Sequence, residues 1–292
     1  MKRRKRATRI TYKKLLLPIF IIALVAIIMI AGYRQNSGTN NTKLSPNSEL
    51  FPQEGFKTKI ILGDVVPRLV ESGAIDLAKF KQLYGDSLTE ERMRLLTQPN
   101  YEPLVLTLNN SNFILNVLWP LGISNKNPIL NTAQKYEGVA NLASTGGWTL
   151  AKEDAMTYFN KLELVKLTAE QQAIFEEVAK STYRPCCDNP TAFPDCNHGA
   201  ALLALLELGA SQGISKEELY TLALQANTLW FPQQYLSTAV LFESKSRDYW
   251  KSADEIVVYN YSSYSGWVRN VYEPLQKAGL LPRAQGGGSC GV

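Results

Sequence analysis

The chain holds one histidine, four cysteines and four methionines in 292 residues. A single histidine excludes, within one chain, any chemistry that needs two. The H-E-x-x-H helix of zinc peptidases is therefore absent, and so is the C-x-x-C-H of covalently attached haem. Acidic residues are missing from the first 34 positions, where nine of the 31 basic residues lie. The remainder carries 22 basic against 26 acidic residues, so the formal charge of +5 misstates the body of the chain. A mildly acidic body lacks the basic face that nucleic acid requires, and no nucleic-acid partner is expected. Charged residues make up 20%, hydrophobic ones 45% and aromatic ones 10%. These proportions exclude wholesale disorder, collagen and a disulfide miniprotein.

Long hydrophobic runs are equally scarce, with one exception. Residues 15–33 read LLLPIFIIALVAIIMIAGY and carry no charge. A helix of that length spans about 28 Å, close to the hydrocarbon thickness of a bilayer. Lys2, Arg3, Arg4, Lys5, Arg6, Arg9, Lys13 and Lys14 precede it, and only Arg34 follows closely. That asymmetry predicts a single-pass anchor in the cell membrane, with the N-terminus cytoplasmic and the C-terminal domain outside. The exit Met29-Ile30-Ala31-Gly32 is a poor cleavage site, and the first cysteine, Cys186, lies too far away for a lipoprotein.

The fold class expected is mainly α: a single N-terminal transmembrane helix followed by an extracytoplasmic helical domain with few or no short strands. The divisions are a basic tail (1–14), the anchor (15–33), a polar linker (34–55), the helical domain (56–282) and a glycine-rich tail (283–292). Capping boxes are read at Ser87–Glu90, Thr168–Gln171 and Ser215–Glu218. Further helices are expected over 64–72, 76–84, 112–121, 150–160, 199–211, 233–243 and 267–277. The runs 104–108 and 255–259 have the composition of short extended pieces that need not pair. Residues 112–121 are almost entirely apolar but too short to span a membrane, so they read as a core helix.

The informative stretch is YRPCCDNPTAFPDCNHG, residues 183–199. It gathers Cys186, Cys187, Cys196 and His198, which are three of the four cysteines and the sole histidine, in a loop stiffened by Pro185, Pro190 and Pro194. An apolar helix follows at once, with Asp195 or Asn197 as its expected N-cap. Three readings compete. Thiolates and one imidazole suit a thiophilic transition metal such as Zn, Cu or Fe, for sensing, storage, delivery or redox work. The C-C-x₈-C-x-H spacing departs from paired C-x₂-C motifs, and two adjacent cysteines chelate one tetrahedral ion poorly, which leaves one of them outside the shell. The second reading is an anchored structural or interaction domain with two disulfides. A bridge from Cys186 or Cys187 to Cys196 would contribute about 2–3 kcal/mol. The third is an envelope thiol–disulfide oxidoreductase, in which the helix end and imidazole lower a cysteine pKa.

Cys290, on the tail GGGSCG, is a candidate fourth ligand, a disulfide partner or a mobile thiol. The metal set expected from sequence is thus Cys186, Cys187, Cys196, His198 and Cys290, the partners being the membrane and an envelope protein. Other features point less far. Thr145-Gly146-Gly147-Trp148 lacks the Lys-Ser/Thr of a phosphate loop. Residues 262–267 read as a loop-to-helix junction. Glu153, Asp154 and Glu207 are candidates for a lytic carboxylate pair, a role that requires two of them to face one cleft.

Overall fold

A computed structural model describes residues 49–282. It opens with an antiparallel ribbon, β1 (Phe56–Gly63) and β2 (Asn100–Leu106), in register Phe56↔Leu106 and Lys57↔Val105 with bulges beyond. Along β1 the side chains alternate, with Thr58, Ile60 and Leu62 inward and Lys57 and Lys59 outward, the period of a half-buried strand. Between the strands lie α1 (Val65–Ser72), α2 (Leu77–Tyr84) and α3 (Glu90–Thr97). Asp76 caps α2 by accepting from the Ala78 and Lys79 amides.

Two helices form the centre. Both α4 (Ser111–Ser124) and α6 (Asn197–Ser211) are buried around most of their circumference, as helices enclosed by other elements are. They meet at Gly122, where a Cβ would stand 1.8 Å from the Ala200 carbonyl oxygen. Only glycine admits so close a backbone approach. Around α6 pack α5 (Ala169–Ser181), α7 (Lys216–Trp230) and the ribbon. Both α5 and α7 start with complete capping boxes, Thr168/Gln171 and Ser215/Glu218. Gln212 clamps α6 to β1: its side chain accepts from the Ile61 amide at 2.9 Å and donates to the Ile61 carbonyl at 2.8 Å. After α8 (Pro232–Ser244) the chain runs through short helical turns into a π-helical segment, Val268–Tyr272, that continues directly into α9 (Glu273–Ala278). Gly279 ends α9 in the left-handed conformation, φ 68°.

Several expectations are corrected. A transmembrane helix leading a helical domain is not what the structure displays, because among the described residues no helix is long and apolar enough to cross a membrane. The expected span, 15–33, lies outside the described residues. The strand at 104–108 exists as part of β2 and pairs with β1 rather than standing alone. Residues 255–259 are not extended, since Ala253–Ile256 and Tyr259–Ser262 form helical turns there. The helix expected over 150–160 shrinks to Ala155–Tyr158. Its first residues bond elsewhere, Asp76 donating to the Leu150 carbonyl and Lys152 to the Gly73 carbonyl. Ser87 is not a cap: Thr89 accepts from the Arg92 amide instead, and the Ser87 hydroxyl turns back to the Tyr84 carbonyl.

Candidate metal centre

The loop between α5 and α6 is fixed from three directions. On the α5 side, Thr191 donates its amide to the Thr182 carbonyl at 2.8 Å and Ala192 donates to the Ala179 carbonyl at 2.8 Å. Facing the C-terminal turns, Tyr183 donates to Val257 at 2.7 Å and Tyr264 donates to the Cys187 carbonyl at 3.0 Å. The Asp188 carboxylate accepts from the Ser265 amide at 2.8 Å and from its hydroxyl. Toward the middle of the chain, the Ser144 amide donates to the Asp195 carbonyl at 3.2 Å. With Pro185, Pro190 and Pro194 restricting φ, the loop has its shape before any ligand arrives.

Cys196, not Asp195 or Asn197, caps α6. Its backbone is extended, φ −134° and ψ 168°, and its Sγ accepts from the Gly199 amide at 3.3 Å. Because Cys196 lies outside the helix, it converges with His198 although an i, i+2 pair within a helix would diverge. One ligand atom each from Cys186, Cys196 and His198 lie within 4.8 Å of one another, and the two sulfurs are 3.4 Å apart. Cys187, Asp195 and Cys196 form a second such group. The adjacent cysteines thus fall into different groups that share Cys196. His198 is buried, its ring tilted against Phe231 at 4.4 Å between centroids.

The electrostatic centre of the site is Arg184, which is wholly buried. Its Nε donates to Cys196 Sγ at 3.2 Å, its Nη1 to the Asn189 carbonyl at 2.9 Å, and its Nη2 to Asp195 Oδ1. The guanidinium lies against the first turn of α6 because residue 199 is glycine, where a Cβ would meet Nη2 at 2.5 Å. A cation is unfavourable at a helix N-terminus, so it requires anions beside it. Asp195 is one and Cys196 the other. Contacts from Cys186 and Cys187, together with Arg184 and His198, hold the Cys196 thiol well below its ordinary pKa despite burial. Cys186 is pushed up by its contacts with the Cys187 and Cys196 sulfurs and by burial. For Cys187 the Cys186 contact pulls down, but the Cys196 contact and burial prevail and carry it to about 12. Among the three sulfurs, Cys196 is the one whose anionic form its surroundings favour, beside two thiols and a guanidinium.

Of the five ligands expected from sequence, Cys186, Cys196 and His198 converge in one group and Cys187 joins Cys196 in another, while Cys290 lies outside the described residues. None of the three described cysteines is in a disulfide. Sequence reasoning missed Arg184 and offered Asp195 only as a helix cap; the signal for their pairing was opposite charges within a thiol-rich loop. The carboxylate pair is not assembled, because Glu153 and Asp154 are exposed while Glu207 is buried within α6. The Asp154 carboxylate accepts from the Met156 amide as a helix cap. Ser263 caps the turn Tyr264–Trp267, so 262–267 is a loop-to-helix junction.

The Cys/His group can hold a metal ion. No protein-family model, curated protein or solved structure matches this chain.

Proposed function

We propose that the protein binds a thiophilic divalent metal ion, zinc(II) foremost, through Cys186, Cys196 and His198. The observation that carries this reading is the convergence of two sulfurs and an imidazole from a braced loop and a helix start. A tetrahedral ion with metal–sulfur bonds of 2.3 Å separates two thiolates by about 3.8 Å. The 3.4 Å between the Cys186 and Cys196 sulfurs therefore needs only a small opening.

Charge selects the ion's valence. Arg184 and Asp195 cancel, the imidazole is a neutral ligand, and the two thiolates contribute two negative charges. A divalent cation makes the buried site neutral, whereas a monovalent one leaves a net charge whose burial is costly. Thiolate and imidazole donors favour zinc among divalent ions available to such a site. Arg184 also explains why the first group is chosen over the second. Its guanidinium already engages both Asp195 and Cys196, the edge that a second ion would use. The fourth position is assigned to a neutral exogenous ligand, which preserves this balance, or to Cys290, whose thiolate would add one negative charge; the variant Cys290→Ser separates the two.

Cobalt(II) titration of the full-length chain tests the reading. One equivalent is expected to produce sulfur-to-cobalt charge-transfer bands and the intense d–d bands of a tetrahedral site. Cys186→Ser, and His198→Phe, which keeps the aromatic packing on Phe231, are each expected to weaken binding by more than about 100-fold, above the range that loss of an outer-shell contact usually costs. Octahedral cobalt spectra in the wild type, or unchanged affinity in both variants, would remove the site.

A further inference from the structure

The third thiol, Cys187, is left without a place in the shell just assigned. The ligand groups share Cys196, and the sequence places Cys186 and Cys187 side by side. Cys187 Sγ stands 3.5 Å from Asp195 Oδ1 and 3.9 Å from the Asn189 carbonyl oxygen. It is the least buried of the three sulfurs, next to exposed Asp188 and Asn189, whereas Cys196 is the most enclosed and His198 stacks against Phe231 behind it. The soft ligands are therefore graded in depth: Cys187 at the mouth, Cys186 and Cys196 within, His198 at the back. Arg184 keeps the mouth from becoming a second resting site by engaging Asp195 and Cys196.

We propose that Cys187 is the entry ligand of the site, taking zinc(II) from a thiolate complex in solution and passing it to Cys186, Cys196 and His198. The inference rests on the metal-binding reading above. Transfer proceeds by ligand substitution, with zinc remaining zinc(II) throughout and no electrons exchanged. The Cys187 thiol releases its proton as its sulfur bonds to the ion, and one donor thiolate leaves and takes up a proton. Cys196, already in reach, bonds next and displaces a second donor thiolate. Cys186 then releases its proton and bonds to the ion, the bond to Cys187 breaks, and Cys187 is reprotonated. His198 completes the shell. A sulfur at the mouth accelerates exchange because it can bond to the ion, with release of its thiol proton, before the donor complex has dissociated. A buried set without such a ligand must await release of the free ion.

The test is stopped-flow uptake of zinc from its complex with free cysteine by the full-length chain, for the wild type and Cys187→Ser. The serine hydroxyl keeps a donor facing Asp195, and Cys187→Ala provides a second variant should serine disturb the fold. Near-UV circular dichroism verifies that the packing is intact. The expected result is one bound zinc per chain in both proteins, equilibrium affinity changed by less than about threefold, and an uptake rate at least about tenfold slower in the variant. An uptake rate within about twofold of wild type would overturn the proposal. So would a drop in equilibrium affinity of more than about 100-fold, beyond what loss of an outer-shell contact costs, because Cys187 would then be a resting ligand. If instead the wild type binds no zinc, the metal-binding reading itself fails, and that outcome is distinct from a wild type that loads normally with a variant that loads equally fast.

Discussion

Replacing Arg184 by methionine is expected to lower the unfolding free energy by about 3–5 kcal/mol, the usual cost of removing one partner from a buried ion pair. For a body of this size that corresponds to a fall in Tm of about 6–20 °C. The size follows from what the guanidinium does. It is fully enclosed and donates to the Cys196 sulfur, the Asp195 carboxylate and the Asn189 carbonyl. Without it, Asp195 keeps the Asn189 side-chain amide and Cys196 keeps the Gly199 amide, but neither anion retains a counter-charge. Methionine fills much of the same volume, so the loss is electrostatic rather than a cavity effect. A second readout separates this from general damage. The thiolate absorbance of Cys196 is expected to appear at a higher pH in the variant, since one of the groups holding its pKa down is gone. Denaturant unfolding at neutral pH checks the first expectation and ultraviolet titration the second. A loss below about 1 kcal/mol, typical of an exposed ion pair, would show that Arg184 is not the counter-charge described above.

The second large effect concerns Glu207, three turns along the same helix. Its carboxyl is buried, and Oε1 accepts from Asn127 at 2.6 Å and Asn125 at 2.8 Å. Burial raises its pKa to about 7, against the opposing pull of the Asn127 and Asn125 amides. Asn127 and Gln172 bond to each other and line an open cleft of about 500 Å³. Because the folded pKa lies above the ordinary carboxyl value of about 4.3, the folded state holds the proton more tightly than the unfolded chain. Stability from this group is therefore fully present below about pH 4.3. It declines as pH rises through the interval to about 7, and above that pH the penalty is complete. The interval amounts to about 4 kcal/mol by linkage. Glu207→Gln keeps an oxygen acceptor for both asparagines and cannot ionise. It is expected to abolish this decline and to be more stable than wild type at pH 8 by about 1–3 kcal/mol, allowing for one newly buried amide donor. Denaturant midpoints measured from pH 4 to pH 8 check it, and parallel profiles for the two proteins would contradict it.

Much of the helical framework was legible because it is written locally. The Thr168/Gln171 and Ser215/Glu218 boxes, the Asp76 cap and the apolar runs of α4 and α6 each state a helix within a few residues. The ribbon was harder. The alternation in Phe56–Gly63 is short, and its partner lies some 40 residues away across three helices. Strand pairing at that distance is a tertiary choice that local pattern does not encode. The segment 255–259 shows the reverse: β-branched composition, yet packing at Ile256 and Val257 folds it into helical turns.

The site divides in the same way. That Cys186, Cys187, Cys196 and His198 belong together could be read from their density in one loop, because proline and chain length bound how far they can separate. Which sulfur carries the charge could not, since this depends on Arg184 reaching back across twelve residues to the start of α6. Nor could the capping role of Cys196, because cysteine is not among the residues that ordinarily announce a helix start. The role of Gly199 follows only from the guanidinium that rests on it. The membrane span inferred from residues 15–33 has no counterpart among the described residues and lies outside them.

The most direct test of the central claim is the metal content of the full-length chain purified without chelators under mild reduction, measured by inductively coupled plasma mass spectrometry. The account predicts about one zinc per chain, lost in Cys186→Ser and retained in Cys187→Ser. A folded wild type with less than about a tenth of an equivalent of any transition metal, unable to take up zinc when it is supplied, would contradict it.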